Sequence, residues 1–241
     1  MQPGTGAPGL EADWSKAVDL LPLVDPSKDA QGAGWKRQDG DLVASSAWIS
    51  AVRIPYRPPD EYDALVVFSS DRADPDAPTA TLGVILPAGG RDVNWALFQK
   101  RAGIELINGA DLLRNPTVRD TGSWPRPGTR GTLTVRVRRS GLSIWHDDRP
   151  FLDYPTDYAN LQSHAQWGLR GAGLLGIGAM GSAVFHRVAV REVSGRGTFT
   201  RPDDPAAQEA ERRRGGAAPA PVAGGARTDT DLHTAHRAAN P

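Results

Sequence analysis

Residues 133–153, LTVRVRRSGLSIWHDDRPFLD, constrain the fold more than any other stretch of the chain. Leu133, Val135 and Val137 alternate with Thr134, Arg136 and Arg138. Ser140-Gly141 marks a turn, Leu142 and Ile144 resume the alternation, and Asp147-Asp148 marks a second turn. Successive side chains of an extended chain point to opposite faces. Period-two patterning between turn residues therefore specifies an antiparallel meander with one dry and one wet face.

The rest of the chain repeats this grammar. Strands are predicted at 17–24, 35–38, 42–45, 49–55, 62–69, 81–86, 93–99, 104–107, 173–179 and 183–193, besides the meander. Asp39-Gly40 and Asn108-Gly109 are hairpin turn signals, and Gly89-Gly90 joins two further strands. Strands at roughly ten-residue spacing without alternating helices specify an all-β, two-sheet antiparallel β-sandwich. Phe185 falls on one face by parity and Val188 and Val190 on the other, so a β-bulge is expected near His186-Arg187. Trp35 is expected in the core.

Composition sets the limits of this domain. Residues 1–12 are rich in Gly and Pro and read as a disordered leader. From 198 to 241 large apolar residues almost vanish, so the tail reads as disordered, with at most a fleeting helical turn at 208–214. The sandwich is thus placed at 13–197. Lys+Arg and Asp+Glu both number 28 and the net charge is zero, which argues against a nucleic-acid or anionic-membrane partner. The absence of cysteine excludes disulfides and thiolate sites. No apolar run approaches the roughly 18 residues of a membrane span. No signal peptide is visible, and cytoplasmic is the default compartment.

Given these strands, the chain resembles the concanavalin A-like lectin/glucanase superfamily, a two-sheet jelly roll that includes laminin-G-like modules. More narrowly, it resembles an uncharacterised bacterial domain of that type. The motifs are VDLLPLVDPSKDA (18–30), GWKRQDGDLV (34–43), RIPYRPPDEYDALVVF (53–68), GIELING (103–109), the meander, and VFHRVAVREVSGRG (184–197). In relatives the turn after the second meander strand usually reads Asp-Gly-Lys/Arg, whereas here it is Asp147-Asp148-Arg149. Aspartate tolerates left-handed geometry less well than glycine, so a changed turn type is expected. The resemblance implies the fold; its members include sugar binders, protein binders and glycosidases alike.

Several residue groups are candidates for a site. Glycosidases place two carboxylates across the scissile bond, and Glu61-Tyr62-Asp63 is the nearest match to the same-face spacing this requires. Leu65 stands where a third carboxylate would continue the pattern, so a strand start is the favoured reading. Sugar sites present aromatic faces beside amides and carboxylates. Of seven tryptophans, those in Asn94-Trp95 and Trp145-His146 fit best, with Trp145 expected on the wetter face. Core or rim packing is the ordinary role of such residues. Asp71, Asp74 and Asp76 cluster in a loop that would suit calcium only with about six to eight oxygen ligands; a solvated acidic loop is favoured and no cofactor is assigned. His146, His164 and His186 lack metal-ligand spacing. Gly171, Gly173 and Gly176 match G-x-G-x-x-G, but a strand follows where a dinucleotide site needs a helix.

The sequence thus points to a non-catalytic binding or interaction module whose most fitting partner is a carbohydrate. Two alternatives stand beside it. One is a glycoside-active hydrolase of the glucanase or 3-keto-disaccharide hydrolase type; the other is a protein-interaction or structural domain.

Overall fold

The structure is a computed structural model that describes residues 13–70, 81–122, 124–126, 128–167 and 173–215. In chain order the strands begin with β1 (Val18–Asp19), β2 (Ala30–Gln31), β3 (Trp35–Gln38), β4 (Asp41–Arg53), β5 (Tyr56–Arg57) and β6 (Tyr62–Ser69). Then come β7 (Thr81–Ala88), β8 (Arg91–Phe98), β9 (Arg101–Ile104), β10 (Leu106–Ile107) and β11 (Arg119–Asp120). β12 (Gly131–Arg138), β13 (Gly141–His146), β14 (Arg149–Pro155), β15 (Leu161–Gln162), β16 (Gly176–Glu192) and β17 (Thr198–Phe199) complete the set. Helix α1 (Pro26–Asp29) precedes β2, and α2 (Pro205–Arg213) follows β17.

β16 organises the architecture. Its first half pairs antiparallel with β7 and β4, and its second half with β6 and β1. One layer accordingly runs β11-β9-β8-β7-β16-β4, and the other β1-β16-β6-β12-β13-β14. The continuous sheet curls over so that both inner faces enclose a single core, with Val84, Leu86, Trp95 and Leu97 from one layer meeting Val66, Phe68, Val135 and Ile144 from the other. This is the two-layer antiparallel jelly-roll sandwich expected from the alternation.

Local expectations agree with the structure where backbone geometry dominates. The register of β16 against β6 shifts between Phe185 and Arg187, and this bulge brings Phe185, Val188 and Val190 into the same core. Trp35, expected in the core, is only half-buried at its margin, stacking on Phe185 at 5.8 Å and donating its indole N–H to Ser50 at 2.9 Å. Asp39-Gly40 turns between β3 and β4 with both residues at positive φ, 52° and 89°.

Other expectations are corrected. The segments 42–45 and 49–55 are one strand, β4, and 183–193 is continuous with β16, which starts at Gly176. Ser46, which falls between the first two of these predicted strands, pairs with Gly181 next to the Ser45–Ser182 pair, at a second register shift. Segment 17–24 keeps only two strand residues, because Leu21–Leu23 closes into a 3₁₀ turn around Pro22. The first meander turn lies at Arg139-Ser140, and Gly141 opens β13 with φ 145°, where a side chain would strike the Tyr154 carbonyl. Asp147 and Asp148 both adopt left-handed backbone, φ 46° and 63°. The Asp147 carboxylate accepts the Thr132 backbone N–H at 2.8 Å, which offsets the strain of this left-handed turn.

Structure also continues past the expected boundary at 197, as far as residue 215. β17 pairs with β5, and Phe199 meets Tyr56 at 5.4 Å. Asp204 caps α2 by accepting the Ala206 N–H at 2.9 Å, with Pro205 at the first position. Arg201 reaches Asp29 at 2.7 Å, and the buried Arg214 side chain pairs with Glu192. Residues scarce in apolar surface are held down by guanidinium contacts, which hydropathy does not register. Residues 1–12 and 216–241 lie outside the described residues. No helix among the described residues is long and apolar enough to cross a membrane.

Candidate functional site

Adjacent strand residues point to opposite faces, and this separates both pairs expected from sequence. Asn94 and Trp95 are buried on opposite sides of β8. Trp95 enters the core, while Asn94 donates its amide to Glu105 at 2.7 Å on the outer side of its layer. Neither presents a surface to a ligand. Trp145 and His146 diverge in the same way. Trp145 does face outward, but the Arg136 guanidinium lies 4.6 Å from its ring centroid and leaves it 8% exposed. His146 points inward, and there the fold joins it to Trp95 across the two layers, with ring centroids 5.5 Å apart and planes 84° to one another.

Around that contact an aromatic cluster is assembled. His146 stacks between Trp124 and Phe151, with both centroid separations 3.8 Å and interplanar angles of 6° and 20°. Trp124 comes from the loop between β11 and β12, its peptide bond to Pro125 being cis. Its indole donates to Asp147 at 2.7 Å, so the left-handed turn that begins β14 also fixes the ring. The close approach of this loop depends on Gly131, where a Cβ would stand 2.8 Å from Pro125. Phe151 owes its position to a register shift between β13 and β14. Ile144 pairs with Leu152 but Trp145 with Pro150, so Phe151 bulges out of the ladder and its ring reaches His146.

These residues line a cleft of about 540 Å³ with Asp120, Thr121, Arg126, Thr129, Arg149 and Pro150. The burial of His146 has an electrostatic consequence: desolvation drives its pKa from the ordinary value of 6.5 to about 3, so the ring is neutral at physiological pH. Its Nε2 has no hydrogen-bond partner among the described residues. The cleft therefore combines apolar ring surface, a neutral imidazole and a polar rim.

A larger cleft of about 780 Å³ lies at β5, the β7–β8 turn and β15, lined by Arg57, Asp60, Arg91, Asp92, Gln162 and His164 among others. Among the described residues its lining has prolines and charged groups but no aromatic ring beyond His164. Beside it Glu105 is buried and accepts from Asn94, Gln166 and the Trp167 indole, at 2.7, 2.8 and 2.8 Å. That network fastens Trp167 over the outer face of its layer, against Gly83 and Gly178.

The remaining candidate groups serve structure or lie elsewhere. Asp63 is wholly buried between Arg138 and Arg191, which hold both its oxygens. Glu61 accepts the Arg139 backbone N–H at 2.9 Å. The pair therefore marks the start of β6 and lines neither cleft. His186 lies between Asp41 and Ser69 at 2.8 and 2.9 Å. Asp71, Asp74 and Asp76 lie outside the described residues, and no metal-binding cluster occurs among those described. Sequence reasoning missed Trp124, Phe151, Arg126 and Arg149 as site residues. Pro150 was the available signal for Phe151, since proline in a strand marks an edge or bulge.

The chain matches no protein-family profile and no curated protein sequence. Its fold does match solved structures. A single-residue mutant of the Emp46p carbohydrate recognition domain aligns at TM-score 0.50 and 14% identity, over 76% of this chain and 100% of that one. The carbohydrate binding module CBM66 from Bacillus subtilis aligns at 0.49 and 9%, over 68% and 96%. A protein of unknown function with a galectin-like fold, also from Bacillus subtilis, aligns at 0.49 and 13%, over 71% and 94%. At these identities the likeness concerns the fold.

Proposed function

We propose that this chain is a non-catalytic carbohydrate-binding module of the concanavalin A-like superfamily, a laminin-G-like bacterial domain that binds sugar in the Trp124–His146–Phe151 cleft. The observation that carries the reading is the coincidence, in one cleft, of aromatic rings with hydrogen-bonding groups on the rim. The apolar C–H face of a pyranose stacks on such rings, while hydroxyls need fixed donors and acceptors around it. The fold it shares with the Emp46p carbohydrate recognition domain supports the same class of ligand. The role requires no chemistry from Glu61 or Asp63, whose contacts are structural.

The test is a glycan-array screen of the wild-type protein beside Phe151→Ala. Phe151 is half-buried at the cleft and outside the strand ladder, so the variant retains the sandwich. Binding by the wild type that Phe151→Ala reduces tenfold or more, roughly the effect of one lost stacking contact, supports the proposal. Binding unchanged in Phe151→Ala, or absent in both, contradicts it.

A further inference from the structure

The rim of the cleft divides its polar groups unequally. Two carboxylates line it, and the fold itself uses both. Asp147 accepts the Thr132 N–H through one oxygen at 2.8 Å and the Trp124 indole N–H through the other at 2.7 Å. Asp120 accepts the Gly122 N–H at 2.6 Å. Two guanidiniums also line it, those of Arg126 and Arg149, and neither has a hydrogen bond or ion pair from its side chain among the described residues. The fold ties down the arginines it uses structurally: Asp63 holds Arg138 and Arg191, Asp29 holds Arg201, and Glu192 holds Arg214. Arg126 and Arg149 have no such anchor among the described residues.

His146 adds an independent observation. It is 7% exposed, it lines the cleft, and its Nε2 is buried without a partner among the described residues. A buried polar nitrogen left unpaired costs free energy unless something occupying the cleft completes it. Among the described residues, the polar groups left unpaired at this cleft are thus two cationic forks, the His146 Nε2 and the Thr121 hydroxyl, set beside aromatic walls.

From this arrangement we infer that the cleft selects an acidic saccharide, a sugar unit whose carboxylate or sulfate pairs with Arg126 and Arg149 while its ring packs against the open flank of the Trp124–His146–Phe151 stack. The inference rests on the reading of the cleft as a saccharide site and specifies its ligand class. Guanidinium presents parallel N–H donors that match two oxygens of one carboxylate or sulfate, which a neutral hydroxyl cannot reproduce. The aromatic walls lower the local dielectric and strengthen that pairing relative to open solvent.

Isothermal titration of the full chain with a short oligogalacturonate, a short sulfated galactan and a neutral galactan tests this. The panel is run on the wild type, on Arg126→Gln with Arg149→Gln, and on Phe151→Ala. Both arginines are exposed, so the charge variant folds, which an unchanged melting temperature checks. The expected result is at least a tenfold preference for one acidic oligomer over the neutral one, about tenfold loss per arginine removed, and weakening at higher salt. Preference for the carboxylate or the sulfate form identifies which anion the rim suits, and either supports the inference. Equal binding of neutral and acidic oligomers, lost in Phe151→Ala, overturns the acidic selection and leaves the saccharide site standing. Acidic binding unchanged in the arginine variant also overturns it. No binding by any oligomer overturns both readings.

Discussion

Trp124 and His146 lie face to face, with ring centroids 3.8 Å apart and planes within 6°, although they are held by different parts of the chain. A loop supplies one and the end of β13 the other, and Trp95 from the opposite layer meets both rings edge to face. The cleft therefore belongs to the sandwich core as well as to its surface, so burial governs how its rings titrate and how they respond to substitution.

His146 makes stability depend on pH in a defined direction. Its folded pKa of about 3 lies below the unfolded value of 6.5. Between those values the unfolded chain holds a proton that the folded chain excludes, so the contribution is complete above the unfolded value and is lost as pH falls through the window. Replacing His146 with Phe removes this dependence. Between about pH 6.5 and about pH 4.5 the wild type should lose on the order of 2 kcal/mol more stability than His146→Phe. Urea unfolding at both pH values measures it; parallel losses would contradict neutral burial.

Asp63→Asn should destabilise by about 2–4 kcal/mol, because it leaves Arg138 and Arg191 without their shared buried anion. The lower figure reflects the partial exposure of both arginines, 30% and 33%. Glu61→Gln should stay within about 0.5 kcal/mol, as expected of a surface backbone contact. Thermal and chemical denaturation of the two variants check the contrast, and a neutral Asp63→Asn would show that the pair contributes nothing.

Gly178 and Trp167 should be strongly coupled. A Cβ at Gly178 would collide with the indole, so Gly178→Ala should cost about 1–3 kcal/mol by overpacking. Trp167→Ala should cost about 3–5 kcal/mol through lost burial. Combined, the costs should fall short of their sum by about 1 kcal/mol or more, since the clash disappears with the ring. Additive costs would mean the segment moves aside freely.

A chain ending at residue 197 should melt well below one ending at 215. The shorter form loses Phe199 from Tyr56, Arg201 from Asp29 and Arg214 from Glu192. Differential scanning calorimetry of the two forms tests the boundary, and equal melting temperatures would return it to 197.

The sandwich is legible in the sequence because alternation and turn residues act over a few positions. Leu133 to Ile144 can be placed on one face without knowing their partners, and so can the bulge that reunites Phe185 with Val188. The site is less legible because it is non-local. Reading Asn94 with Trp95, and Trp145 with His146, pairs neighbours that pleating sends to opposite faces. The true neighbours of His146 are Trp124, Phe151 and Trp95, each brought in by a loop, a bulge or the facing layer. The order of residues 198–215 escapes for another reason: arginine–carboxylate contacts hold them, and composition reads those residues as solvated.

The most direct test of the saccharide cleft is a two-dimensional NMR titration that follows the tryptophan indole N–H signals as the tightest-binding oligosaccharide of the glycan screen is added. The Trp124 signal should shift and saturate, while Trp145 beneath Arg136 and Trp167 beside Glu105 stay in place. Saturating shifts at Trp145 or Trp167 with Trp124 unmoved would place the sugar elsewhere and contradict the account.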